Sequence, residues 1–319
     1  MSETLKAFNA AKGNSDYERG FGRTSVIIPC FNFDQFLGTT LTSIGIQSVL
    51  PLEIIVVDDG STTPLVQPPD WHGPELRWVR TKNQGLGAAR NFGLKLAKGE
   101  FVAFCDADDW WEPTKIEKQQ QKLDEYPNAV ACYTWCKEAD GYFPFGPYPS
   151  PNLGRDQLAA LLWYGQFFPP SSVLIRREEA LSVNGFREGL KNGEDLDMWF
   201  RLLTQGEIVG VTERLCWYRV HEHQITQNVV RKILGAKEAR RGILAQYSDR
   251  LIRGGISENQ LWDAYRNEIF CMFYRRQFAS ARVLLWDYFK DHPTDLKTVL
   301  YLFASFLPSQ FVTALRGKI

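Results

Sequence analysis

Residues 100–111 read EFVAFCDADDWW, an apolar run that breaks abruptly into acid. Residues 101–105 have the character of a fully buried strand. Directly after them, Asp106, Asp108 and Asp109 set three carboxylates within four residues. Carboxylates this close repel one another unless a cation lies among them. In an open α/β sheet, ligands bind at the carboxyl ends of the strands. The stretch therefore predicts a central strand that delivers an oxygen-rich site suited to Mg²⁺ or Mn²⁺. The competing reading is a solvated acidic turn leading into a helix near Pro113.

The rest of the chain supplies the sheet such a strand needs. Residues 25–31, SVIIPCF, predict a buried strand ending at Pro29. Residues 34–49 place Phe36, Leu37, Leu41, Ile44 and Val49 near helical spacing, and Pro51 closes that helix. EIIVV at 53–57 is a second strand, running into Asp58-Asp59-Gly60-Ser61. Pro64, Pro68, Pro69 and Pro74 make 62–75 a rigid loop. A third strand at 76–80, a turn through Gly85 and Gly87, and a helix over 88–98 with Gly99 as its C-cap lead to the central strand. This order implies a mostly parallel sheet flanked by helices.

Further on, the pattern predicts a helix at 113–126, a strand at 130–135, a loop at 142–151, a helix at 157–164, a strand at 171–175 and a short helix at 178–183. Gly193-Glu194-Asp195 opens a helix that buries Leu196, Trp199, Leu202 and Leu203. Two strands, 208–211 and 215–220, bring the chain to His221. From 229 onward only helical spacing remains, at 231–247, 257–275 and 278–289. The predicted organisation is a polar lead-in over 1–23, an α/β domain over 24–228 and an all-helical extension over 229–319.

Lys and Arg together number 37, as do Asp and Glu, so there is no basic excess of the kind nucleic-acid binding needs. The six cysteines form no CxxC pair and several sit in apolar runs, which points to buried, reduced thiols in a cytoplasmic protein. The polar N-terminus lacks the apolar core of a signal peptide. Residues 298–315 are uncharged and apolar-rich between Lys297 and Arg316, with Lys318 beyond, but Pro308, Ser309 and Gln310 interrupt them. That pattern favours a helix in a membrane interface, or one packed as core, over a spanning helix. The first of these would put the protein at the inner face of the plasma membrane.

Six pieces now stand in order between about residues 24 and 223: SVIIPCFN, VVDDGS, NQGLGAARN, CDADD, GEDLDMW and YRVH. Together they resemble the family 2 glycosyltransferases, which have the nucleotide-diphospho-sugar transferase (GT-A) fold. The resemblance implies a metal-dependent, inverting enzyme of hexosyltransferase type. It would move sugar from a nucleotide diphosphate, with UDP expected, to a glycan or lipid-linked hydroxyl in cell-surface polysaccharide synthesis. It places the nucleotide against Pro29, Phe31, Asn32, Asp58, Asn83, Arg90 and Asp106. Asp106 and Asp108 become the DXD motif, with Asp108 on the divalent cation, Asp106 at ribose or metal, and His221 assisting metal or diphosphate. Asp195 becomes the general base, with Glu194 as its neighbour in the ED motif. Trp110, Trp111, Phe167, Phe168 and Trp199 are candidates to stack on sugars, against a strong core-packing reading for Trp199.

Simpler roles compete. Asp195 suits a helix N-terminus electrostatically, His221 could be an ordinary packed histidine, and Asp59 could cap the DDGS turn. A dinucleotide-dependent oxidoreductase is disfavoured because Arg90 stands where a third small residue belongs. A nucleotidyltransferase would need a Gly-rich basic loop where CFNFDQF stands. A non-catalytic nucleotide-sugar or glycan-binding relative is the alternative. The proline-rich stretch at 64–74 replaces a helix usual in relatives, and the helical extension lies outside the shared motifs.

Overall fold

Strands β1 (Thr24–Cys30), β2 (Glu53–Asp58) and β4 (Phe101–Phe104) are buried along their whole length, as their unbroken apolar runs require. They belong to a computed structural model that describes residues 22–32, 34–66, 71–138, 161, 168–221, 228–253 and 257–307. The expected helix over 157–164, the loop over 142–151, Phe167 and the tail beyond 307 fall wholly or largely outside these residues.

With β3 (Glu75–Arg80), β5 (Trp110–Trp111), β6 (Ala129–Glu138), β7 (Val173–Arg176) and β8 (Glu207–Tyr218), these strands form one sheet in the order β3-β2-β1-β4-β7-β6-β8-β5. The half from β3 to β4 is parallel, as expected. Beyond β4 the sheet is mixed: β7 runs antiparallel to both β4 and β6, β8 is parallel to β6, and β5 is antiparallel to β8. The strand order reverses at β1, which has β2 on one side and β4 on the other, so the crevice beyond the carboxyl ends of β1 and β4 is where such a sheet takes a ligand. Pro29 helps open it. The β1–β4 pairing stops at Ile27 opposite Phe104, so the missing N–H of Pro29 interrupts no rung on that side.

Helices α1 (Asp34–Gly45), α2 (Leu86–Leu96), α3 (Lys115–Glu125), α4 (Arg177–Ser182) and α5 (Glu194–Leu203) flank the sheet. Gly93 of α2 lies so close to β1 that an added Cβ would stand 2.4 Å from Ile27. Three expectations change. The helix after β1 ends at Gly45 rather than Val49. Ala97, not Gly99, caps α2; Gly99 is small because a Cβ there would meet the Ser25 nitrogen at 2.6 Å. The two strands expected at 208–211 and 215–220 are one strand, β8, opposite β6, with register shifts in that pairing near Thr134 and Trp135. Trp110 and Trp111, assigned to no element from the sequence, form β5 and pair with Trp217 and Cys216.

The chain divides into two compact units, the first ending at His221. The second holds α6 (Val229–Arg253), α7 (Glu258–Tyr274), α8 (Phe278–Asp291) and α9 (Leu296–Ala304). Tyr265, Ile269, Phe273, Leu284 and Tyr288 form its own core. Ser257 and Gln260 close a capping box at the start of α7. On α9, Tyr301 and Ala304 are buried while Leu300 and Phe303 are exposed. No described helix is long and apolar enough to cross a membrane.

Candidate active site

The acidic turn after β4 is held from three directions. Thr40 of α1 sets its hydroxyl 2.8 and 2.7 Å from the carbonyls of Ala107 and Asp109. Ser171 accepts the Asp106 N–H at 3.0 Å. Beyond β8, the Arg219 N–H donates to Asp109 Oδ1 at 3.1 Å and its Nε to the Asp108 carbonyl at 2.8 Å. The Arg219 guanidinium lies over the rings of both Phe36 and Trp110, 4.4 and 4.5 Å from their centroids. His221 reaches the same turn, with Nε2 2.9 Å from Asp108 Oδ2.

Burial pushes the Asp108 carboxyl above its ordinary range, and the Asp106 charge adds to it, against an opposing contribution from His221. Asp109, almost fully buried, is raised further by burial and then by Asp108. This turn holds more negative charge than its surroundings stabilise.

Asp106 has a different partner. Arg90 of α2 is buried and donates through Nη2 to Asp106 Oδ1 at 2.7 Å and through Nη1 to Glu194 Oε1 at 3.0 Å. Its guanidinium stands 5.1 Å over the Phe186 ring. Burial works against the charge, but Asp106 and Glu194 more than offset it and hold the group protonated. One cation thus joins the acid turn to the first residue of α5. Asp195, next to it and half-buried, accepts the Leu196 N–H at 2.7 Å. Gly193 makes that helix start possible with φ of 80°.

On the other side of the crevice, Asp58 accepts the Ser61 N–H at 2.8 Å and Arg80 Nη1 at 3.1 Å. Burial alone would raise its carboxyl; Ser61, Leu65 and Arg80 together bring it below the ordinary range. Asp59 accepts the N–H groups of Gln84 and Gly85 at 3.1 and 2.9 Å. It therefore pins the loop that carries Asn83, which the simpler role of capping its own turn did not foresee. Gly60, with φ of 77°, lets that loop approach, since a Cβ there would stand 2.8 Å from the Asn83 nitrogen. Asn32, at φ of 58°, accepts the N–H and hydroxyl of Thr62 at 2.9 Å each. Phe31 beside it is exposed.

The family model for glycosyl transferase family 2 matches residues 25–182, which include this turn and both flanking loops. A glycosyltransferase of Rickettsia typhi is 27% identical over 219 residues, 66% of this chain and 67% of the relative. The Escherichia coli chondroitin synthase is 28% identical over 204 residues, 61% of this chain but only 28% of that much longer protein. A Nostoc glycosyltransferase is 30% identical over 62% of this chain and 65% of its own length. The chain belongs to glycosyltransferase family 2. Crystal structures of Staphylococcus aureus TarS residues 1–349 share its GT-A fold. The complex with UDP-GlcNAc superposes with a TM-score of 0.56 at 17% identity, covering 92% of this chain and 91% of TarS.

Within this family 2 enzyme, the structure gathers Asp106, Asp108, His221, Arg90, Glu194 and Asp195 around one strand end. Phe31, Asn32 and Asn83 lie on loops after β1 and β3. Three of the residues expected at the nucleotide are also engaged within the fold. Pro29 is buried in β1, Asp58 is engaged by its own turn, and the Arg90 guanidinium serves two carboxylates rather than an open face. Trp111, Phe168 and Trp199 are core residues and not sugar platforms: Trp111 donates to the Ser171 carbonyl at 2.8 Å, and Phe168 stacks on Tyr133. Trp110 stacks on Trp217 at 5.4 Å. Residue-by-residue reading missed Arg219, Thr40 and Ser171. Only Arg219 carried a signal, as the cation of YRVH beside an acid cluster. Among the described residues, no group of three or more His, Cys, Asp or Glu side chains forms a complete metal cage.

Proposed function

We propose that this glycosyltransferase moves a hexosyl group from a UDP-sugar to a hydroxyl of a glycan or lipid-linked acceptor, with inversion at the anomeric carbon, in cell-surface polysaccharide assembly. The observation that carries this reading is the Arg90 bridge, which ties Asp106 of the strand-end turn to Glu194 beside Asp195. Donor-side acid and acceptor-side acid are thereby held as one unit across the crevice. TarS has been crystallised with UDP and with UDP-GlcNAc, which supports a uridine nucleotide here. The likeness to chondroitin synthase supports a polysaccharide setting.

Phe31 offers an exposed ring to the base, and Asn32 and Asn83 frame the nucleotide from the loops on either side of Asp59. A divalent cation fits the donor set. Ligands about 2.1 Å from Mg²⁺ at right angles stand about 3 Å apart, and Asp108 and His221 already present atoms 2.9 Å apart. An incomplete cage also suits an ion that takes its remaining ligands from substrate phosphates. Held by Asp108 and His221 with Asp106 beside it, the cation would offset the charge growing on the departing diphosphate. Asp195 takes the proton from the acceptor hydroxyl. Its oxygen then attacks the anomeric carbon from the face opposite the leaving group. Glu194, neutralised by Arg90, keeps the start of α5 in place for that transfer.

The test is a panel of nucleotide sugars incubated with the full chain and Mn²⁺ or Mg²⁺, with and without glycan acceptors. Release of UDP from at least one UDP-sugar is expected, with the product of opposite anomeric configuration to the donor. Binding without turnover across the panel would leave a non-catalytic sugar-nucleotide binder instead.

A further inference from the structure

Cys136 and Cys216 are direct register partners on β6 and β8. Paired strands lie about 4.8 Å apart and register partners project to the same face, a spacing within the Cα range that disulfides span. Both residues belong to the same core face, Cys216 within it and Cys136 packed at its edge. Among the side chains acting on the Cys216 thiol, Cys136 is the strongest. The next rung, Lys137 opposite Trp217, is braced by Glu112, which accepts from Lys137 Nζ and Trp217 Nε1 at 2.8 Å each. The two sulfurs differ in access: Cys136 is half-buried, whereas Cys216 has no exposed surface.

We propose that Cys136 and Cys216 form a reversible dithiol–disulfide pair. With a peroxide as oxidant, the Cys136 thiolate attacks one peroxide oxygen. The O–O bond breaks and hydroxide leaves as water after protonation, giving a sulfenic acid on Cys136. The Cys216 thiol gives up its proton as its sulfur attacks the Cys136 sulfur. The S–O bond breaks, and the departing hydroxide takes that proton and leaves as water. In sum, two thiols and one peroxide give one disulfide and two waters. This modification is independent of the sugar chemistry and lies on the strand leading to Arg219 and His221.

The experiment uses the full chain with Cys271→Ser, because Cys271 is exposed and could link two molecules. Folded protein is treated with hydrogen peroxide, alkylated in denaturant, and digested without reductant for mass spectrometry. A peptide pair joined through Cys136 and Cys216 is expected, absent before treatment, lost on reduction and lost in Cys136→Ser. Full alkylation of both residues after treatment, or Cys136 recovered only as unlinked sulfinic acid, overturns the pair.

Discussion

Two acidic clusters in this molecule are built from the same residue types and behave in opposite ways. In the helical unit, Asp291 accepts from Lys237 and Arg241 at 2.7 and 2.6 Å. Asp295 caps α9 and pairs with Arg266 at 2.9 Å. Burial would raise both carboxyls, but these partners bring both below their ordinary range. In the turn after β4, burial and mutual repulsion win, and Asp108 and Asp109 are raised. The first cluster stabilises its fold. The second stores unfavourable charge that a cationic ligand would relieve, which is the signature of a site.

The largest effect that can test this contrast is on chemistry. Asp195→Asn keeps shape and hydrogen bonding but cannot take a proton, so transfer should fall by at least ~10²-fold while UDP affinity and the thermal midpoint stay near parental. Transfer at the parental rate would move the base elsewhere, with Glu194 next. Asp108→Ala should remove the metal-stimulated part of UDP affinity, measured by calorimetry with Mn²⁺, and should leave stability equal or higher, since a disfavoured buried charge is gone. Metal-dependent affinity equal to the parent would end the DXD assignment.

The helical cluster should answer in reverse. Lys237→Met strands Asp287 and Asp291 without their buried cation, so a loss of ~1–3 kcal/mol in denaturant unfolding is expected, with kcat unchanged. If Lys237→Met and Asp108→Ala destabilise equally, the two clusters are not different in kind.

The smallest effect is in pH. Asp291 and Asp295 have depressed folded pKa values, so their contribution is complete above the unfolded value of ~3.9 and is lost as pH falls through the folded values. The destabilisation by Asp291→Asn should therefore shrink between pH 7 and pH 3. Asp109 is raised, so the folded state binds its proton more readily and its contribution grows as pH falls from neutral toward ~3.9. Asp109→Asn should then gain most at neutral pH. Midpoints of thermal unfolding at three pH values check both signs.

Much of this was legible in the chain itself. SVIIPC, EIIVVD and FVAF could only be buried strands, because uninterrupted β-branched and aromatic runs have no polar face to give to water. The acids that follow β2 and β4 were equally plain, because ends of buried strands are local features. The helical extension was legible from its spacing. Less legible were features whose cause is remote in sequence. A two-residue strand at Trp110 exists because β8 runs beside it. The polar Thr212–Arg214 segment looked like a break, yet it is a bulge: pairing with β6 resumes at Arg214 opposite Trp135 and the strand continues. Gly99 resembled a helix cap, but the backbone of residue 25 is what leaves no room for a side chain.

By itself, then, the sequence determined the strand order in time, the acids at the strand ends and the family they imply, since each depends on neighbours along the chain. Only the tertiary structure decided which charges meet. Arg90 finds Asp106 and Glu194, and Asp108 finds His221, across separations that no periodicity spans. Whether a buried carboxylate is eased or strained depends on the cations brought to it in space, and that pairing is settled when the sheet and its helices pack.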